Sequence, residues 1–333
     1  MHDNNSPTQM PAHIKVTEVV TRDGFQNEDR VVSTKAKIQV IEGLVQAGIT
    51  SIEVTSFVHP RVVPQLADAD ELVTRLPHHL GVVYSALVPN IKGAQRALAT
   101  GITELHLVLS ASESHNLANL NRCVRESLAQ LARVCTFVQR ENPETVLVGT
   151  IATAFHCPFE GRTLVERVIW ITEKLVDMGI HTVVLADTDG AAAPLQIEQT
   201  LSLVRERFPE IILGLHLHNT RGMGLANAFA GLRSGVTLFE SSLGGIGGCP
   251  FAPNATGNIS TEDLVHMLHE MGFHTGIDLD QLIAEGRKLP AIVGHHLASQ
   301  VAKVGKSSDL HPFTGTKIAS SRASQKEVSG HIH

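Results

Sequence analysis

Residues 178–187 read MGIHTVVLAD, and the same arrangement recurs as AGITSIEV at 47–54, TGITELHLV at 100–108 and SGVTLFES at 234–241. In each stretch a helix-like segment stops at a glycine, and a strand-like segment begins directly after it. Glycine at this point supplies the left-handed backbone conformation with which many helices end. The recurrence predicts a chain in which helices alternate with strands, and this alternation calls for parallel strands joined by right-handed crossovers.

The alternation extends from these four stretches in both directions along the chain. Strands are predicted near 14–20, 51–57, 81–88, 104–111, 145–153, 182–187, 211–217 and 236–241. Helices are predicted near 34–47, 64–76, 91–100, 120–141, 162–178, 195–208, 223–234 and 261–271. Eight strand–helix units over roughly 260 residues favour the α/β class and a closed (β/α)8 TIM barrel over an open doubly wound sheet. The dinucleotide motif G-x-G-x-x-G after the first strand is absent from the sequence.

The expected domain organisation is one catalytic barrel with short flanking segments. We expect residues 1–12 to be a flexible lead-in and residues 13–275 to form the barrel. Residues 276–304 are predicted to be a helical extension packed on the barrel, and the polar stretch 305–333 a flexible or irregular tail.

The composition excludes several classes of protein. A hydrophobic share of 43% and a charged share of 18% are typical of a globular chain. The formal net charge of −6 offers no basic surface for nucleic acid or anionic lipid. The sequence has no apolar run of the roughly 20 residues that cross a bilayer, and no signal-like stretch. The four cysteines form no C-x-x-C pair, so we expect a reduced, cytoplasmic protein.

Two histidines mark the predicted mouth of the barrel. The segment ILGLHLHNTRG at 212–222 ends a strand with His216 and His218, whose side chains share one face because they are two residues apart. Catalytic residues of TIM barrels lie where the strands end. Two imidazoles and an oxygen ligand such as Asp23, which follows the first strand, predict a divalent-metal site. Imidazole mixed with carboxylate and amide oxygen suits Mg²⁺ or Mn²⁺, with Zn²⁺ as an alternative.

Seven motifs carry a resemblance to a known family. They are VVTRDGFQNE (19–28), IEVTSFVHPRVVPQLADADEL (52–72), SASES (110–114), CPFEG (157–161), ADTDG (186–190), HLHNTRG (216–222) and GGIGGCPFAPNATGNISTEDLVHML (244–268). Together they resemble the 3-hydroxy-3-methylglutaryl-CoA (HMG-CoA) lyases, which belong to a superfamily of metal-dependent lyases and Claisen-type synthases on a TIM barrel. The resemblance covers residues 15 to 280 approximately and implies a role in leucine catabolism and ketone-body formation.

The resemblance implies a set of metal ligands. These are Asp23, His216, His218 and the side-chain oxygen of Asn258. A cation chelated by the substrate lowers the pKa of the substrate hydroxyl, and a histidine such as His216 then serves as proton acceptor.

The resemblance also implies roles for residues beside the metal. Arg22 is expected to stabilise the enolate of the thioester. Glu53 and Asp187 are expected to orient the substrate or its polar neighbours, with Asp187 a second possible proton acceptor, and Gln26 to support them. Cys249 lies in the glycine-rich segment that closes over the substrate in this family, where it takes part in proton delivery.

Some residues near the motifs depart from the family pattern. Asp189, Asn219 and Arg221 stand where the family usually has isoleucine, aspartate and tyrosine. Because Asp189 and Arg221 lie on adjacent loops with opposite charges, we hypothesise that they pair and reshape the acyl pocket.

These departures leave several functions open. The first expectation is cleavage of HMG-CoA to acetoacetate and acetyl-CoA, and the second is cleavage of citramalyl-CoA or a 3-substituted glutaryl-CoA. A Claisen-type synthase that joins acetyl-CoA to a 2-oxo acid is a third possibility, and a non-catalytic barrel that binds acyl-CoA and metal is a fourth. The expected partner is a small acyl-CoA, without nucleic acid or membrane, in a homo-oligomer of two or four chains.

Overall fold

The protein is described by a computed structural model over residues 13–248 and 257–310. The lead-in at 1–12, most of the tail, and Cys249 with its neighbours up to residue 256 lie outside the described residues.

Eight parallel strands close into a barrel, so the predicted TIM-barrel fold is confirmed. They are β1 (Lys15–Glu18), β2 (Ser51–Ser56), β3 (Val83–Leu87), β4 (Glu104–Ser110), β5 (Val146–Ala152), β8 (Thr182–Asp187), β9 (Ile212–Leu217) and β10 (Leu238–Ser241). Around the barrel they follow the chain order, and β10 pairs with β1 to complete the circle. A small antiparallel hairpin, β6 (His156–Cys157) and β7 (Gly161–Arg162), stands in the connection after β5.

Helices fill the connections between the barrel strands. They are α1 (Thr34–Gln46), α2 (Ala69–Arg75), α3 (Ile91–Ala99), α4 (Glu113–Leu120), α5 (Val124–Glu141), α6 (Val165–Asp177), α7 (Pro194–Arg207), α8 (Gly224–Arg233) and α9 (Thr261–Glu270). In the described part of the chain, none of the helices is long and apolar enough to span a membrane.

The helix predicted at 120–141 is the largest departure from the sequence-based assignment. The structure has α4 before it, and Asn121 separates α4 from α5 with a φ of 52°. Asparagine tolerates this left-handed conformation because its short polar side chain can hydrogen-bond locally. Cys123 then caps α5 together with Glu126 in a capping box. The break brings the two helices together over the barrel mouth.

The segment after α9 forms three short helices, α10 (Leu279–Gly286), α11 (Leu289–Val293) and α12 (Val301–Val304). Helix α10 packs against α1 and α9, and α12 packs against α9 and α10. Leu282 and Ile283 are buried at these contacts. The extension therefore adds to the outer helical layer, and it also contacts the loop after β10, where the amides of Ala298 and Ser299 donate to the carbonyl of Gly244.

The strands place apolar side chains on their outer faces and many polar ones inside the barrel. In β9, for example, Leu213, Leu215 and Leu217 are buried outward under the helices, and His216 points inward. Successive side chains of a strand alternate between faces, so the inward positions of neighbouring strands meet in layers. One inner layer near the mouth contains ionisable side chains.

Candidate active site

A π-helical turn, Val20–Gly24, follows β1 and presents Arg22 and Asp23 at the barrel mouth. The amides of Asp23 and Gly24 both donate to the carbonyl of Val19, at 2.7 and 3.2 Å, which widens the turn. Such turns are frequent at functional sites. Arg22 and Asp23 are only 9% and 8% exposed, so their charges act in a largely dry environment.

Arg22 is held from two sides by carboxylates. Its Nε donates to Oε2 of Glu53 at 2.6 Å, and its Nη1 donates to Asp23. Burial alone would raise the pKa of Asp23, but the charges of Arg22 and His216 outweigh it and hold that pKa far below its usual range. Asp23 is therefore ionised and Arg22 is fixed in direction. Glu53 thus contacts Arg22, and its predicted role in orienting the substrate stays a prediction.

His216 and His218 leave the end of β9 towards Asp23. Their Nε2 atoms are 3.1 Å apart, and Nε2 of His216 is 3.9 Å from Oδ2 of Asp23. The ligand atoms of these three residues all lie within 4.8 Å of one another. Burial lowers the pKa of His218 to about 3, so this imidazole is neutral, as a metal ligand must be.

Asn258 completes the group through a backbone bridge to His218. Its Nδ2 donates to Oδ2 of Asp23 at 2.7 Å and to the carbonyl of Ile246 at 3.0 Å. The nitrogen of the amide thus faces Asp23, whereas the resemblance implied the oxygen. Oδ1 of Asn258 and Nδ1 of His218 are buried without a hydrogen-bond partner among the described residues.

The arrangement fits a divalent cation. Two imidazole nitrogens face each other beside an ionised carboxylate, and a buried amide oxygen lacks a donor. Buried polar atoms normally have partners, and a 180° rotation of the Asn258 amide would turn its oxygen towards Asp23. Hard oxygen ligands with imidazole are the donor set expected for Mg²⁺ or Mn²⁺.

Glu240 is a site residue that the sequence reasoning missed. It is the register partner of His216 on the neighbouring strand β10, and its Oε2 accepts from Nδ1 of His216 at 2.8 Å. Burial would raise the pKa of Glu240, but the hydrogen bond from His216 lowers it below its usual value. A carboxylate behind a ligand histidine fixes the ring and its free nitrogen. The sequence signal that could have identified Glu240 is an acidic residue within a strand-forming segment, LFES at 238–241.

A cavity of about 440 Å³ runs from these residues across the mouth to α4 and α5. Five predicted site residues line it, namely Arg22, Asp23, Gln26, His216 and His218. Its inner end is formed by small or polar side chains, among them Thr150 and Ala152 of β5, Ala186 of β8 and Thr188 directly after β8. Its outer wall includes His115, Asn119 and Arg122.

Asp187 lies beside the cavity and faces away from it. Ala186 lines the cavity, so the next side chain of β8 points to the opposite face. The Asp187 carboxylate accepts from the amides of Ala191 and Ala192 at 3.0 and 3.1 Å. Burial raises the pKa of Asp187 to about 6. The contacts favour a role in holding the loop after β8 over a role as proton acceptor.

The hypothesis that Asp189 and Arg221 form an ion pair is wrong. Nη1 of Arg221 donates to the main-chain carbonyl of Asp189 at 2.7 Å, and the Asp189 carboxylate contacts Nδ1 of His156 at 2.7 Å. The side chain of Asp189 is buried towards the hairpin β6–β7, away from Arg221. These contacts connect the loops after β5, β8 and β9 at the rim of the barrel.

Known proteins are similar to this chain over most of its length. The family model HMGL-like matches residues 13–288. The chain is 42% identical over 302 residues to an (R)-citramalyl-CoA lyase of Chloroflexus aurantiacus, covering 88% of this chain and 95% of the relative. It is 41% identical over 298 residues to the hydroxymethylglutaryl-CoA lyase YngG of Bacillus subtilis, covering 90% and 99%.

A solved structure is also similar over most of its length. It is an HMG-CoA lyase from Acinetobacter baumannii in complex with coenzyme A and 3-methylmalate. The TM-score is 0.86 at 46% identity, with 90% of this chain and 98% of that chain covered.

Proposed function

This chain belongs to the HMGL-like family, and we propose that it is a metal-dependent carbon–carbon lyase that cleaves a branched 3-hydroxyacyl-CoA. The first candidate substrate is HMG-CoA, which would give acetoacetate and acetyl-CoA. The observation that carries the proposal is that Arg22 lies beside three residues that could hold a metal ion, Asp23, His216 and His218, all of them lining one cavity.

Asp23, His216 and His218 would hold the cation, together with the Asn258 oxygen after rotation of its amide. A bound Mg²⁺ or Mn²⁺ supplies Lewis-acid chemistry to the hydroxyl and carboxylate of the substrate. Breaking the C2–C3 bond moves an electron pair onto the thioester side, where negative charge develops on oxygen. Arg22, kept in direction by Glu53, stabilises that charge as it forms.

The 3-hydroxyl proton needs an acceptor that borders the cavity. His216 lines the cavity and Asp187 does not. Nδ1 of His216 already donates to Glu240, so Nε2 is its one acceptor atom. His216 would therefore take the proton only while Asp23, His218 and Asn258 hold the cation without it. Cys249, the predicted proton donor to the enolate, lies outside the described residues.

Citramalyl-CoA is the strongest alternative substrate. Relatives of both activities match this chain at nearly equal identity, 42% and 41%. Citramalyl-CoA carries its carboxylate directly on the carbinol carbon, one methylene closer than HMG-CoA does. The same arginine and cation-binding group would serve both, and the inner end of the cavity would decide between them.

The test is a coupled assay with Mg²⁺ or Mn²⁺ on HMG-CoA, citramalyl-CoA and longer 3-substituted glutaryl-CoA. We expect cation-dependent release of acetyl-CoA, with acetoacetate or pyruvate identifying the substrate. His216→Ala should abolish it, and the control His181→Ala, at an exposed position, should leave it unchanged.

Two outcomes would contradict the proposal. Condensation of acetyl-CoA with a 2-oxo acid, without cleavage of any acyl-CoA, would identify a synthase. Binding of acyl-CoA and Mn²⁺ without either reaction would identify a non-catalytic barrel.

A further inference from the structure

A buried histidine lies below the metal-binding residues, inside the barrel. His106 of β4 is 4% exposed. Its Nε2 is 3.2 Å from Oε1 of Glu104 on the same strand. Its Nδ1 is 3.7 Å from Oε1 of Glu53 on β2 and 3.7 Å from Oε1 of Glu240 on β10. Three carboxylates from three strands therefore surround one imidazole.

Two of these carboxylates hold the groups that do the chemistry. The other oxygen of Glu53 accepts from Arg22, and the other oxygen of Glu240 accepts from His216. His106 thus contacts the partners of Arg22 and of His216 without lining the cavity. Oε1 of Glu53 has no hydrogen-bond partner in the described part of the chain, which leaves it dependent on the nearby charge of His106.

The charge state of His106 follows from the positions of its two ring nitrogens. A neutral imidazole has one N–H and one lone pair, so one of its nitrogens would present a lone pair to a carboxylate. An imidazolium presents an N–H on both sides. Burial alone would lower the pKa of His106, but the charge of Glu53, the hydrogen bond to Glu104 and the charge of Glu240 raise it.

We propose that His106 is a positioning residue that is protonated at neutral pH and holds Glu53 and Glu240 so that Arg22 and His216 point to the same end of the cavity. The imidazolium sits between two acids that would otherwise repel each other in a medium of low dielectric constant. This inference deepens the proposed function, since it concerns the same site, but its first test does not depend on that function.

The first test measures the charge of the ring directly. Long-range ¹H–¹⁵N spectra of histidine-labelled full-length protein distinguish an imidazolium, with two similar ring nitrogens, from a neutral ring. We expect an imidazolium signal that persists at pH 8 in the unliganded protein and disappears in His106→Gln. A spectrum in which the signal assigned to His106 is that of a neutral ring at pH 7 would overturn the proposal.

The second test distinguishes a positioning role of His106 from a role in packing alone. His106→Gln keeps a polar side chain of similar size without the charge, and His106→Lys keeps a positive charge. We expect His106→Gln to weaken Mn²⁺ binding and to lower kcat by roughly 10- to 100-fold, as for other groups behind a ligand shell. KM for the acyl-CoA should stay close to that of the wild type, and His106→Lys should recover part of both losses.

Ser85→Ala is the matched control, because Ser85 is a fully buried barrel residue whose strand neighbours are Glu53 and Glu104. It should change neither Mn²⁺ affinity nor kcat. A His106→Gln variant that folds and matches the wild type in both would contradict the positioning role. If no acyl-CoA is cleaved by the wild type, the proposed function fails, whereas the ring charge and the Mn²⁺ titration still decide on His106.

Discussion

The two sides of the cavity mouth are built from different kinds of contact. On the side of β1, β9 and β10, functional groups are held by hydrogen bonds to a second polar group, as Arg22 is by Glu53 and His216 by Glu240. The opposite side comes from the loops after β2 and β3 and from α4 and α5. Its wall contains a cluster of apolar side chains beside the polar His115, Asn119 and Arg122; the cluster is Val58, Val62, Val63, Leu87, Val88, Leu120 and Leu131.

The difference separates two tasks. Directional hydrogen bonds between buried charges fix a few atoms to within the tolerance that catalysis needs. Apolar contacts are not directional and mainly set the volume that a substrate can fill. We call the side of β1, β9 and β10 the metal side and the side of α4 and α5 the apolar side. Substitutions on the metal side are expected to alter turnover and metal binding. Substitutions on the apolar side and at the inner end of the cavity are expected to alter the choice of substrate.

The largest effect is expected for Asp23→Asn on the metal side. The change keeps the size of the side chain but removes the charge of a proposed cation ligand, which is also the partner of Arg22. We expect kcat/KM to fall on the order of 10³-fold and Mn²⁺ affinity to fall with it, as measured by turnover and by Mn²⁺ titration. The exposed Asp29→Asn is the control, and a loss of tenfold or less in Asp23→Asn would break the comparison.

Arg22→Lys should separate charge stabilisation from metal binding. Lysine keeps the positive charge but cannot reproduce the fork that contacts both Glu53 and Asp23. We expect kcat to fall by about 10²-fold while Mn²⁺ affinity stays near that of the wild type. Arg125→Lys on the surface of α5 is the control. A parallel loss of both quantities would place Arg22 in the support of the cation site instead.

Glu18 connects the segments after β1 and β10 on the metal side, and its contribution to stability can be tested. This fully buried carboxylate accepts from the amides of Val20 and Leu243 and from the hydroxyl of Thr261. Burial raises the pKa of Glu18 from 4.5 to about 7. Between these two values the folded protein binds more protons than the unfolded chain, so stability falls as pH rises through the window and stays lower above it.

Glu18→Gln cannot ionise and should remove this part of the pH dependence. We expect the melting temperature of the variant, relative to the wild type, to rise by a few degrees between pH 4.5 and pH 8. This corresponds to a difference in unfolding free energy on the order of 2 kcal/mol. The measurement is thermal unfolding across the range, with exposed Glu141→Gln as control. A constant difference at all pH values would show that Glu18 is ionised in the folded protein.

Ala186→Val should change the choice of substrate at the inner end of the cavity. Ala186 lines the cavity and is the register partner of His216, so two added methyl groups shorten the space beside the reacting carbon. We expect kcat/KM to fall about tenfold more for HMG-CoA than for citramalyl-CoA. The control is Ala129→Val on the exposed face of α5. An equal loss of kcat/KM for both substrates would mean that the inner end of the cavity does not discriminate between acyl groups of different length.

The smallest effect is expected for Val62→Ala on the apolar wall. Val62 is 70% exposed at the entrance, so its loss should raise KM by less than about threefold for either substrate and leave kcat unchanged. Steady-state kinetics with both acyl-CoA substrates provide the measurement. A drop in kcat would show that the wall contributes to the direction of the reacting groups.

Local patterns in the sequence determined most of the fold and part of the site. Each predicted strand lies within a few residues of an observed one. The apolar patterns of the strands and the glycines that follow α1, α3, α6 and α8 act over short distances. The shared face of His216 and His218 follows from the same period of two. The predicted oligomer and the cytoplasmic location stay predictions.

The tertiary structure alone decided which distant residues meet. Glu240 reaches His216, and Glu53 and His106 come together, through the strand register of a closed barrel. The closed barrel also decides which face of each strand points into the cavity. In β8 that face carries Ala186, so the side chain of Asp187 points away from the cavity. Contacts between strands arise from the geometry of the whole barrel, and no segment of the chain carries that geometry by itself.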